Sequence, residues 1–168
     1  MIIEDVQVTS DTLRQQIKSS RVILLHPETD YRPMVITRMI DDENLQTYYY
    51  AVKREDQSAT AFAQNIINTI ASQAGVDAVE VGENPAASVI NILESVDSDS
   101  YVLILDDFDR SDDAEDVPDF IADVLHDLPE KCHVLMSSRT IPQLPWIPLI
   151  ASGAATIVQD DAVVMQYI

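Results

Sequence analysis

Strand-length apolar runs recur along this chain, and segments of helical period separate them. Five runs qualify: RVILL (21–25), QTYYYAV (46–52), YVLIL (101–105), HVLMS (133–137) and AATIV (154–158). The first, third and fourth are apolar along their length, as strands covered on both faces should be. Between the runs the helix signals are specific. Ser58 is placed to cap a helix carrying Phe62, Ile66, Ile67 and Ile70 on one side. Asn84 followed by Pro85 reads as a cap and a first-turn proline, with Val89, Ile90, Leu93 and Val96 following at helical spacing. Val117, Phe120, Ile121, Val124, Leu125 and Leu128 fall on one further stripe. Strands alternating with helices predict an α/β fold with a five-stranded, mainly parallel sheet and right-handed crossovers. The apolar character of the three continuous runs further predicts Asp106 at the carboxyl end of a central strand, flanked by the strands that start near Arg21 and His133.

In such sheets ligands sit outside the carboxyl ends of the strands. Asp106 and Asp107 fall there, as do Ser137, Ser138 and Arg139 after the fourth run. Two carboxylates delivered to a strand tip are a familiar way to hold magnesium beside a phosphate. Charge narrows what else the chain can do. Its net charge is −19, from ten Lys/Arg against 29 Asp/Glu. Residues 1–84 carry seven cations against thirteen acids, and residues 85–168 carry three against sixteen. No segment is basic, so direct nucleic-acid contact by this segment is not expected. A single cysteine, Cys132, excludes an intramolecular disulfide and a multi-cysteine zinc site. In CHVLM it reads as a buried thiol. No signal-peptide-like start and no run of membrane-spanning length is present, so no membrane contact is expected and the chain reads as cytoplasmic. With no internal repeat or linker, a single domain over residues 1–168 is expected, its core at about 12–160.

A nucleotide-hydrolysing fold of this kind needs a glycine-rich loop after its first strand, ending in a lysine and a Ser/Thr. Here the first strand runs into HPETDYRPMVITRMI, which has neither glycine nor lysine. The chain's only glycines are Gly75, Gly82 and Gly153, and none precedes a lysine. Even so, YVLILDDFDRSDD and FIADVLHDLPEKCHVLMSSRTIPQLPWIPLIASGAATIV resemble the nucleotide-binding domain of MalT-type, LuxR-family ATP-dependent transcriptional regulators. Those are members of the STAND class of P-loop NTPases. TYYYAVKREDQSATAFAQNIINTI and RVILLHPETDYRPMVITRMI resemble the family's earlier strands and helices, with Tyr31 matching an aromatic inside the phosphate loop. The resemblance covers roughly residues 12–160.

That resemblance implies a three-layer P-loop NTPase-like fold, with Asp106 and Asp107 as the magnesium-side carboxylates and Arg139 as the phosphate-sensing arginine. Arg32, Pro33 and Met34 stand where the loop's last glycine, lysine and threonine belong. Family members continue into helical repeats and a DNA-binding helix-turn-helix, whereas this chain stops near where the nucleotide-binding core would end. The leading expectation is therefore a degenerate Walker A loop and a non-hydrolysing regulatory module in signal transduction, holding no cofactor. Its partners would be other proteins or further domains of a longer chain. The alternative is a domain that binds ATP and magnesium through a nonstandard grip of Arg32, Asp106 and Asp107; a third reading is an acidic interaction module unrelated to nucleotides.

Plainer roles compete with the site readings. Acidic strand ends are often only solvated, and Arg139 reads as the partner of an aspartate such as Asp107. Asp107, Asp109, Ser111, Asp113 and Glu115 alternate like calcium-loop ligands, but the sixth position is Asp112 and the twelfth is Pro118. Acids favoured by the start of the following helix explain the run better. His26, His126 and His133 have no metal-like spacing, no base is placed for Ser137 or Ser138, and Trp146 between prolines reads as a packed connector.

Overall fold

The computed structural model describes residues 19–25, 36, 37, 39–42, 44–111 and 114–158. Five strands form one sheet: β1 (Val22–Leu25), β2 (Thr47–Ala51), β3 (Tyr101–Asp106), β4 (Cys132–Ser137) and β5 (Ala155–Val158). Every pairing is parallel, and the order is β2-β3-β4-β1-β5. Among the described residues three α-helices follow the expected segments, α1 (Ala59–Ala74), α2 (Pro85–Ser95) and α3 (Val117–His126), and a short fourth, α4 (Trp146–Ala151), forms where a connector was expected.

The order corrects one expectation. β3 lies between β2 and β4, while β1 lies between β4 and β5. Continuous apolarity marks a strand as interior but does not name its neighbours, and β1, β3 and β4 are all interior. β2 is an edge strand, and its alternating burial agrees with that place. Its exposed edge is covered locally: the Gln73 side chain accepts from the Tyr49 N–H and donates to the Tyr49 carbonyl, both at 2.9 Å. A strand-like amide on α1 thus occupies backbone groups that another chain would otherwise pair with.

The helix ends form as their residues dictate. Ser58 is extended, and its hydroxyl accepts from the Ala61 N–H at 3.1 Å. Gly75 closes α1 at φ 70°, a left-handed conformation that costs glycine little. Asn84 caps α2 through the Ala87 N–H at 3.2 Å, with Pro85 next. Asp116 behaves differently: it makes no side-chain cap on α3 and accepts instead from the Ala59 N–H at 3.0 Å, tying the starts of α1 and α3 together. At the opposite end of the sheet, Lys131 donates to the carbonyls of Glu94 (2.9 Å) and Val96 (2.5 Å) at the end of α2. Arg21 donates to the carbonyls of Leu128 and Pro129 beyond α3. Cations are favoured at such carbonyl-rich helix ends.

Two cores flank the sheet. On one face Val22, Leu24, Tyr48, Tyr50, Leu103, Leu105, Val134 and Met136 pack under the helices. Phe62 of α1 is its aromatic hub, with ring centroids 5.9 Å from Tyr50 and Phe108 and 6.0 Å from Phe120. The other face carries Ile23, Leu25, Val102, Ile104 and Leu135 against Ile36 and Met39, which lie in helical backbone. Helices on both faces of a parallel sheet make the three-layer α/β architecture expected.

Candidate functional site at the carboxyl edge of the sheet

β3 delivers its acids as the sequence predicts. Asp106 is the last residue of the strand, opposite Ala51 of β2, and its carbonyl accepts from the Val52 N–H at 2.8 Å. Asp107 then turns the chain at φ 57°. Aspartate tolerates this left-handed conformation better than most residues with a Cβ. A single 3₁₀ turn, Phe108–Ser111, follows, closed by the Arg110 N–H on the Asp107 carbonyl at 3.0 Å. Phe108 anchors that turn in the core at 3% exposure, so the acids around it are held at a defined height above the sheet.

Side-chain alternation explains what Asp106 meets. Asp106 shares a face with Ile104, and Tyr49, paired with Ile104, lies diagonally across from it on β2. A diagonal neighbour is within reach of a long side chain. The Tyr49 hydroxyl accordingly donates to Asp106 Oδ2 at 2.6 Å. On the other side the Ser137 hydroxyl donates to Asp106 Oδ1, and Ser137 Oγ in turn accepts from the Asp107 N–H at 2.9 Å. Both carboxylate oxygens therefore have internal donors, drawn from the two strands that flank β3. Ser137 was expected at this edge but not as the donor to Asp106, and Tyr49 was not expected here; both roles follow from strand order and register.

Arg139 and Asp107 reach the same edge but through other contacts. The Arg139 N–H donates to Asp109 Oδ1 at 3.2 Å, while Asp107 Oδ2 lies 3.5 Å from Arg110. Arg139 thus reaches the aspartates through its backbone, on Asp109, and Asp107 forms an ion pair with Arg110, its neighbour in the turn. Arg110 is half exposed, so that pair contributes at most about 1 kcal/mol. Beside this turn a cleft of about 260 Å³ opens between the 3₁₀ turn, the start of α3 and the loop after β4. Phe108, Ser111, Pro118, Thr140 and Ile141 line it. Arg32 lies outside the described residues, as do His26, Glu28, Asp30, Tyr31, Pro33 and Met34 of the same loop.

Among the described residues no group of three His, Cys, Asp or Glu side chains is arranged to hold a metal ion. The calcium-loop pattern is not realised by the described members either. Asp109 accepts from Arg139, and the Ser111 hydroxyl donates to the Phe108 carbonyl at 2.9 Å. Asp112 and Asp113 lie outside the described residues. His126 pairs with Asp127 at 2.9 Å, and His133 Nδ1 lies 3.2 Å from the Ser20 carbonyl, so the two serve separate places. Trp146 is buried and donates to the Pro142 carbonyl at 2.9 Å, as a packed connector should. Cys132 is fully buried, and burial pushes its thiol up to about 12, which leaves it protonated and unreactive.

A second carboxylate, unremarked in the sequence, is fully buried. Asp56 accepts from the Tyr50 hydroxyl (2.6 Å), the Lys53 N–H (2.8 Å) and the Asn65 side-chain amide (2.7 Å). Burial, reinforced by the carboxylate of Asp56, raises the Tyr50 phenol well above its ordinary range.

No protein-family model matches the sequence, and no curated protein matches it. Among solved structures the chain is similar in fold to the Orc1 protein of Aeropyrum pernix, which was solved in complex with DNA. The TM-score is 0.58 at 14% identity, covering 93% of this chain and 44% of that one. The fold is P-loop NTPase-like. At that identity the likeness extends to the fold alone, and this chain spans less than half of the Orc1 chain. Among the described residues no helix is long and apolar enough to cross a membrane.

Proposed function

We propose that this chain is a degenerate, non-hydrolysing NTPase domain of the STAND kind, similar to the core of MalT-type LuxR-family regulators. It acts in the cytoplasm as a regulatory module in transcription control, through contacts with proteins or with further domains of a longer chain. One observation carries the reading. Asp106, the carboxylate best placed to serve a magnesium ion, has both oxygens engaged by Tyr49 and Ser137. The sequence supports it: with no Gly-Lys pair anywhere, the chain lacks the backbone cradle and the charge that stabilise phosphoryl transfer. Its net charge of −19 argues that any contact with nucleic acid is made by another part of the assembly.

The competing reading keeps ATP and magnesium, held by Arg32, Asp106, Asp107 and Arg139. The gathering of Asp106, Asp107 and Arg139 at one sheet edge is what favours it. Turnover separates the two. The chain is expected to show no magnesium-dependent ATP hydrolysis above buffer. Hydrolysis that disappears in Asp107→Asn would establish the competing reading.

A further inference from the structure

A polar hollow of about 410 Å³ lies along the outer edge of the sheet, where α1 passes the edge strand β2. Its volume is that of a small-molecule site, but apolar side chains dominate most such sites and here they do not. Asn65, Asn68, Thr69, Ser72 and Gln73 follow one another at i, i+3, i+4, i+7 and i+8 along α1, so they share one face. Tyr50 and Lys53 close the other side. No Asp or Glu lines the hollow, in a chain that carries 29 of them, and none of its residues belongs to the site around Asp106.

The amides of this face are fixed from behind. The Asn65 amide donates to Asp56 at 2.7 Å, which leaves its side-chain oxygen unspent. The Asn68 oxygen accepts from Gln64 at 3.0 Å, which leaves its NH2 group unspent. Gln73 is held on the Tyr49 backbone by two bonds. Polar side chains on a solvated helix face turn freely, whereas these are held, as the polar groups of a binding site must be. Asp56 is fully buried and engaged by three donors, so it presents no carboxylate to the hollow. Arg21 and Lys131 are engaged on carbonyls and Arg110 on Asp107, but the Lys53 ammonium has no partner, nor do the Thr69 and Ser72 hydroxyls, among the described residues. The groups left to a ligand are thus an ammonium, an amide NH2, two hydroxyls and one amide oxygen. That set matches a molecule with several hydroxyls and one anionic group. A neutral polyol would leave the ammonium unused, and a bare phosphate would leave most of the α1 groups unused.

We propose that this hollow binds a small polyol bearing one phosphate or carboxylate. Lys53 takes the anionic group, and Asn65, Asn68, Thr69 and Ser72 take the hydroxyls. Ribose 5-phosphate, glucose 6-phosphate and gluconate are the probes, titrated into the isotope-labelled full chain and followed by its amide chemical shifts. At least one is expected to shift the Lys53, Asn68 and Ser72 signals saturably, and whether it is a phosphate ester or the acid identifies the anionic group. Glucose and inorganic phosphate are each expected to bind at least about tenfold more weakly than that probe. Lys53→Met, and separately Thr69→Val with Ser72→Ala, should each weaken binding about tenfold. These side chains lie outside the buried core, and an unchanged spectrum away from the hollow confirms that each variant folds. Saturable shifts from none of the three probes would overturn the proposal. So would glucose or inorganic phosphate binding as well as the best probe, or binding unchanged in Lys53→Met. Shifts confined to Asp107, Arg110 and Arg139 would place the ligand at the carboxyl edge of the sheet and equally overturn it.

Discussion

Asp56 and Asp106 each accept a hydrogen bond from a tyrosine hydroxyl at 2.6 Å, but they sit in different kinds of surroundings. Asp56 is fully buried, and its three donors come from residues no more than nine positions away. It staples the β2–α1 connection. Asp106 is partly open at the sheet edge, and its donors come from 57 and 31 positions away. A buried carboxylate with only local partners explains itself as architecture. A partly open one, assembled from three strands, lies at the end where such sheets bind ligands. Here both of its oxygens accept from the protein's own hydroxyls.

The contrast can be broken by mutation. Asp56→Ala strands a buried phenol, a backbone N–H and an amide, and is expected to cost about 3 kcal/mol in urea unfolding. Asp106→Ala leaves the partly exposed Tyr49 hydroxyl, which water can reach, and the buried Ser137 hydroxyl, which still accepts from the Asp107 N–H, and should cost about 1–2 kcal/mol. Equal losses would make Asp106 as architectural as Asp56. Tyr49→Phe is the finer probe. Removing one donor from a carboxylate that keeps Ser137 should cost under about 1 kcal/mol, and a larger loss would show the triad to be rigid.

Alkaline pH sharpens the same comparison on the buried side. The Tyr50 phenol is raised in the folded chain, so the unfolded chain loses this proton first as pH climbs past 10. Stability from this group is therefore complete below pH 10 and falls as pH rises above it. Cys132 adds a decline between its ordinary value of 9.0 and about 12. Tyr50→Phe and Cys132→Ala should each make the alkaline decline of unfolding free energy shallower. A decline unchanged in both would deny that these groups are held neutral by burial.

Much of this was legible in the sequence. The five strands lie within one or two residues of their apolar runs, because continuous apolarity and period 2 report burial directly. Ser58 and Asn84 cap the helices they precede, since capping is local chemistry. The neighbours of β3 were not legible: three equally apolar strands satisfy the pattern in several orders. Tyr49 was missed, and Ser137 was placed at this edge without its partner, for the same reason, because only the pairing of Tyr49 with Ile104 and the approach of β4 bring them to Asp106. Asp56 was hidden in KREDQS, which reads as a polar turn and gives no sign that the aspartate folds inward.

Whether the carboxyl edge recognises a triphosphate is tested most directly by the melting temperature in millimolar magnesium–ATP. A ligand that does not bind the folded state cannot stabilise it by mass action. The melting temperature is expected to be the same with and without magnesium–ATP. A rise that grows with ATP concentration and vanishes in Asp106→Asn would contradict the account and show that the site still holds its nucleotide.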